Sequence, residues 1–172
     1  ISVGRAAWST SGTATIEDNL IVDYQKGAIV VDNTGSDAVI TGNTITGAGT
    51  TSITAQNGIQ ISRGATATIS GNTVSGNSFH LDGSDWDWGA TGVLLYQAGN
   101  VAFTGGNNFA GNDSHVYISE AGMVTMGAET FGASSAPVDN GYYVINYNDA
   151  PLDLTQATFP TTDPFELAVR IW

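Results

Sequence analysis

Apolar and small polar residues alternate in short runs along this chain, and the runs break at a recurring Gly-Asn pair. The clearest copies are Val39-Ile40-Thr41-Gly42-Asn43-Thr44-Ile45-Thr46-Gly47 and Thr68-Ile69-Ser70-Gly71-Asn72-Thr73-Val74-Ser75-Gly76. Weaker copies surround Ile16 to Ile21, Phe103 to Phe109, Met126 to Phe131 and Leu154 to Phe159. Alternation with a period of two predicts strands, with every second side chain turned inward. A third run lies upstream of each Gly-Asn landmark and reads Gly-apolar-x-apolar, as in Gly58-Ile59-Gln60-Ile61. Three short strands per repeat, none able to bury its apolar side alone, predict a solenoid in which each coil is completed by its neighbours.

The spacing places six coils in register. Ile61 to Ile69, Leu95 to Phe103 and Ile118 to Met126 are each eight residues apart; Val31 to Ile40 and Ile145 to Leu154 are nine. The first-strand stack is therefore expected to be Val3, Val31, Ile61, Leu95, Ile118 and Ile145. The second is expected to be Ile16, Ile40, Ile69, Phe103, Met126 and Leu154, and the third Ile21, Ile45, Val74, Phe109, Phe131 and Phe159. The core thus widens from Ile and Val toward Phe. Asn tolerates left-handed backbone and bonds to it, so Asn19, Asn43, Asn72 and Asn107 are expected to stack as an amide ladder. Glu129 and Ala157 replace Asn in the later coils, so the ladder should stop after the fourth.

The Ile-x-Gly-Asn-x-Ile/Val cores and the Gly-apolar-x-apolar strands resemble the right-handed parallel β-helix proteins of the pectin-lyase-like superfamily over nearly the whole chain. The resemblance implies an all-β, single-stranded, right-handed parallel β-helix. It leaves activity open, because that superfamily includes polysaccharide lyases, glycoside hydrolases, uronan epimerases, surface adhesins and inert scaffolds. The expected division is a β-helix over 1–161 and a capping helix over 162–172. In the latter, Asp163 is the N-cap, Pro164 the first helical residue and Glu166 completes a capping box. That helix is expected from Pro164 to Trp172. The chain starts inside a strand at Ile1 and ends without a C-cap signal, which reads as a section of a larger protein whose other segments are natural partners.

Composition narrows the partners. Sixteen acids against four bases leave a formal charge of −12. A phosphate track needs clustered Lys and Arg, whereas Arg5, Lys26, Arg63 and Arg170 are scattered; nucleic acid is not an expected partner. No run approaches the roughly 20 apolar residues of a membrane helix, so membrane insertion is not expected either. There are no cysteines and hence no disulfides or thiolate metal sites. An acidic, cysteine-free solenoid suits the exterior of a bacterial or archaeal cell.

The coils differ in length at one place. Ile16 to Ile40 is 24 residues, Ile40 to Ile69 is 29 and Ile69 to Phe103 is 34. Both extensions, Ala48 to Asn57 and Asn77 to Thr91, join a third strand to the next first strand, so stacking sets them side by side. Loops in that position wall a groove over the outward face of the first strand in the superfamily that the repeat resembles. The second loop carries Trp86 and Trp88, whose faces suit stacking on sugar C–H surfaces; equally, both rings suit folding back to anchor the insertion. Asp82, Asp85 and Asp87 offer hard oxygens to calcium, although the EF-hand register is missing and no cofactor is required.

On the first-strand face the expected outward residues are Val30 and Asp32, Gln60 and Ser62, Leu94 and Tyr96, and Tyr117 and Ser119. Arg63, Gln97 and Glu120 follow at the strand ends. Arg63 has the address of a lyase base, and Arg63, Tyr96 and Gln97 join Trp86 and Trp88 as candidate substrate-binding residues. A glycosidase needs two carboxylates roughly 5–10 Å apart, but Asp32 is expected to face outward alone beneath Ser62, with Glu120 two to three coils away. His80 and His115 fall on different coils. The other two faces carry Thr and Ser arrays, interrupted by Glu17, Leu20, Val39 and Asn108, which disfavours a regular water-ordering plane. The expected function is a non-catalytic structural or glycan-contacting section of a secreted or surface protein. The alternative is a carbohydrate-active lyase, hydrolase or epimerase working in the groove.

Overall fold

The computed structural model of the chain describes residues 1–81, 89–135, 142–160 and 169–171. Within them, three parallel sheets run the length of a solenoid. The first sheet stacks Ser2–Val3, Gly27–Asp32, Asn57–Ser62, Thr91–Tyr96, Ser114–Ser119, Tyr142–Asn146 and Val169–Ile171. The second stacks Thr13–Glu17, Asp37–Thr41, Thr66–Ser70, Val101–Phe103 and Val124–Thr125, and the third Leu20–Ile21, Thr44–Thr51, Thr73–Phe79, Asn108–Ala110 and Thr130–Phe131. The register pairs Ile16 with Ile40, Ile40 with Ile69, and Ile69 with Phe103, as the repeat spacing requires. Ile40, Ile45, Ile61, Ile69, Val74, Leu95, Phe109 and Ile118 are fully buried.

The widening core is an aromatic stack. Phe109, Phe131 and Phe159 succeed one another with ring centroids 5.4 and 5.0 Å apart. His115 and Tyr143 complete it, 5.6 Å apart and nearly parallel. These two occupy an inward position held by Gly58 and Gly92 in earlier coils. A Cβ on Gly58 would lie 2.5 Å from Val74 Cγ1 and 2.7 Å from Gly92 O, so the narrow coils have no room there and the wide ones do.

The sixth coil departs from expectation. Ile118 pairs with Asn146, and Tyr117 with Ile145. A one-residue slip moves a side chain to the other face, so Asn146 takes the inward slot expected for Ile145. Its amide is satisfied within the turn, donating to Ala150 O and accepting from Asn148 N. The C-terminal segment differs too: Val169–Ile171 is a strand pairing parallel with Val144, Ile145 and Asn146 rather than the end of a helix. β-branched Val169 and Ile171 suit a strand at an available sheet edge. Residues 161–168, where that helix was expected to begin, lie outside the described residues.

The two long connections do lie side by side. The third-sheet strands extend into them, pairing Gly49, Thr50 and Thr51 with Asn77, Ser78 and Phe79 after a register shift beyond Thr46.

Candidate functional site

The outward face of the first sheet has two halves. In its second to fourth coils the polar side chains form one continuous hydrogen-bonded chain. Thr91 Oγ1 donates to Asn57 Oδ1 at 3.0 Å, and Asn57 Nδ2 to Gln60 Oε1 at 3.3 Å. Gln60 Nε2 donates to Ser62 Oγ at 3.2 Å, and Ser62 Oγ to Asp32 Oδ1 at 2.9 Å. The chain ends in an ion pair: Arg63 Nε lies 2.8 Å from Asp32 Oδ1 and Nη2 donates to Oδ2 at 2.9 Å.

Asp32 is thus not the lone outward acid that alternation alone suggested. The short 3-10 turn Ala6–Trp8 folds over it, and Ala6 N donates to Oδ2 at 2.8 Å, leaving the residue 2% exposed. Burial by itself would raise this carboxyl, but the bonds from Arg63, Ala6 and Ser62 hold it below the usual carboxylate value. The same bond to Asp32 raises the Arg63 guanidinium further. Held as a cation in a two-point pair, Arg63 is poorly placed to accept a proton.

The other half of the face is apolar and aromatic. Leu94 and Tyr117 are register neighbours, Tyr96 is 41% exposed, and the rings of Tyr117 and Tyr147 meet at 5.4 Å. Burial and the neighbouring Tyr147 push the Tyr117 hydroxyl up to about 12, so it is a neutral hydrogen-bonding group near neutral pH. A cavity of about 180 Å³ opens between the halves, lined by Lys26, Asn57, Gly89, Thr91, Leu94 and Tyr117. Gly89 brings the second long loop to its edge. Lys26, which the sequence reading passed over, sits here because it directly precedes a first-sheet strand; its ammonium bonds Ala55 O, and burial lowers its pKa.

The turn that leaves this sheet repeats in four coils. Asn33, Arg63, Gln97 and Glu120 all hold left-handed backbone, with φ of 84°, 51°, 50° and 55°. Arg63 N bonds Tyr96 O and Gln97 N bonds Ser119 O, which stacks these residues directly. Gln97 Nε2 then donates to Glu120 Oε2 at 2.9 Å. Of the candidates, Arg63, Tyr96 and Gln97 therefore share one edge of the face, although Arg63 and Gln97 spend their polar groups on Asp32 and Glu120. Trp86 and Trp88, together with Asp82, Asp85 and Asp87, lie outside the described residues.

Residues 5–126 match the family model for a right-handed β-helix region. The chain belongs to that family. Comparison with curated proteins and with solved structures gave no match.

Two titratable groups of this β-helix, Asp113 and His115, are buried at the start of its fifth coil. Asp113 holds both ends of the second long loop: Oδ2 accepts from Phe79 N at 2.8 Å and from Ala90 N at 3.3 Å, and Oδ1 accepts from Ser135 Oγ at 3.0 Å. Burial raises Asp113 to about 6 despite these bonds. His115 is wholly buried and its ring is fully used, with Nε2 at 2.8 Å from Gly132 O and Nδ1 at 3.2 Å from Asn112 Nδ2. Donation from Nε2–H and acceptance at Nδ1 require the neutral ring, and burial lowers its pKa to about 4. His115 is a core residue of the helix. Alternation from the outward Tyr117 would place His115 outward as well, so the sequence carried no signal for its inward place. Among the described residues, no group of three or more His, Cys, Asp or Glu is placed to hold a metal ion.

Proposed function

We propose that this β-helix is a non-catalytic, glycan-contacting section of a secreted or cell-surface protein, and that sugar lies against the aromatic half of the first-sheet face. The observation that carries this reading is the division of labour on that face. Its polar side chains are tied to one another from Thr91 to Arg63, while Leu94, Tyr96 and Tyr117 form an apolar surface beside them. Exposed Tyr faces suit sugar C–H surfaces, and a phenol hydroxyl serves the sugar's own hydroxyls. On this face the acid Asp32 and the base Arg63 are spent on each other, which takes both away from the proton transfers that a hydrolase or a lyase needs.

A glycan-array screen with and without calcium, followed by product analysis of every hit, tests the reading. Binding with no change in the glycan is expected, weakened about tenfold by Tyr96→Ala, in keeping with the loss of one stacking ring. Shortened, unsaturated or epimerised product would overturn it in favour of a carbohydrate-active enzyme acting beside Arg63 and Gln97.

A further inference from the structure

The corner between the first and second sheets holds a cleft of about 550 Å³, formed between the fifth and sixth coils. Glu120, Gly122 and Met123 line it from one coil, and Tyr147, Asp149 and Pro151 from the other. Its walls are pinned together. Asn148 Oδ1 accepts from Ala121 N and Asn148 Nδ2 donates to Ala121 O, both at 2.9 Å, so the turn of the sixth coil is clamped onto that of the fifth. Gln97 Nε2 holds Glu120 through Oε2. The cleft also continues the aromatic half of the first-sheet face, because Tyr147 both lines it and meets Tyr117.

Its chemistry is selective. Two carboxylates line it, and among the described side chains no Lys or Arg does. Arg63 is engaged by Asp32, Lys26 by Ala55 O, and Arg5 lies 4.3 Å over the Trp8 ring. In a chain of net charge −12, such a cleft repels anionic sugars and favours a cation. Met123, 65% exposed, and Pro151 supply apolar surface beside the Tyr147 ring. A ligand with both an apolar ring face and a positive charge meets all these groups at once: its ring lies on Tyr147 and Met123, and its ammonium lies between the carboxylates. A bare metal ion would use the acids but leave the apolar walls without a role.

We propose that this cleft is a subsite for an amino-sugar residue, a 2-amino-2-deoxyhexose bearing a free ammonium group, within the bound glycan. The proposal rests on the glycan-contacting reading and names the sugar class that reading leaves open. Titration calorimetry with a fully deacetylated glucosamine tetramer and its N-acetylated counterpart tests it, using the whole chain, Glu120→Gln/Asp149→Asn, and Tyr96→Ala. The free amine should bind at least about tenfold tighter than the acetylated tetramer, with a preference that shrinks as salt rises. The double variant should lose the preference and keep its thermal midpoint, since both acids are exposed. Equal affinity for the two tetramers, a preference surviving in the double variant, or equally tight binding of a tetralysine peptide would each overturn the proposal. If both tetramers bind equally and Tyr96→Ala weakens both, the amino-sugar subsite fails while the glycan-contacting reading stands. If neither tetramer nor any arrayed glycan binds, both fall.

Discussion

Asn107 directs its backbone N–H and its side-chain Nδ2 at one carboxyl oxygen of Glu129, at 2.9 and 2.8 Å. The same double donation links Asn19 to Asn43, Asn43 to Asn72, and Asn72 to Asn107. The ladder therefore runs one coil past its last Asn and ends on an acid. An Asn at 129 would carry an amide needing an acceptor in the next coil, where Ala157 offers no side-chain oxygen. A carboxylate receives the ladder without passing donors onward.

Loss of a rung in the middle of this ladder should cost far more than loss of its exposed end. Asn72 is fully buried, accepts both donations from Asn43, and donates to Ile40 O, Ser70 O and Asn107 Oδ1. Asn72→Ala strands several buried groups and should destabilise the protein by about 2–4 kcal/mol. Asn19→Ala, at the exposed end, should cost less than about 1 kcal/mol. Urea titration of the two variants checks the ratio, and equal losses would mean the ladder is not a stabilising unit.

Acid should act on Asp113 and His115 in opposite directions. His115 has a folded pKa of about 4 against an ordinary 6.5, so its contribution is complete above 6.5 and is lost as pH falls toward 4. That loss is on the order of 3 kcal/mol. Asp113 has a folded value of about 6 against an ordinary 3.8, so the native state holds its proton more tightly and its contribution is lost as pH rises from 3.8 to 6. The two largely offset each other between about pH 4 and 6. Asp113→Asn should make stability rise more steeply with pH across that window, and His115→Asn should tilt it the other way. Chemical denaturation at several pH values reads both slopes.

Arg63→Ala should weaken the fold by about 1–2 kcal/mol at neutral pH, a figure reduced for the half-exposed guanidinium. Asp32 is held low by its partners, so the wild-type advantage is present above the ordinary carboxylate range and vanishes as pH falls through the folded value. A stability difference that persisted unchanged into strong acid would show that the ion pair is not its source.

Opposite lesions in the same interior should both destabilise. Ile69→Ala, at a fully buried position, leaves a cavity and should cost about 2–5 kcal/mol. Gly58→Ala places a methyl against Val74 Cγ1 and Gly92 O and should cost about 1–3 kcal/mol through overpacking. Thermal unfolding of each variant checks the assignment of these faces.

Alternation and the Gly-Asn landmarks by themselves determined the coil, the three sheets, the inward stacks through the fifth coil and the ladder as far as Asn107. Those features are local: a period of two decides which side chain faces in, and an Asn in a tight turn meets its copy wherever coils stack. The pairing of the two long loops followed from their common place in the repeat. What only the tertiary structure decided depends on contacts between coils or on segments outside the repeat. The 3-10 turn at Ala6–Trp8 buries Asp32 from 26 positions away, and no periodicity describes such a turn. The slip that seats Asn146 opposite Ile118 is set by the pairing between the fifth and sixth coils, and the inward place of His115 depends on the width of its coil. The strand at Val169–Ile171 exists because a sheet edge awaits it. Sequence periodicity specifies which residues repeat; charge pairs, buried titratable groups and clefts arise where the repeat is interrupted, and their partners are set by stacking geometry.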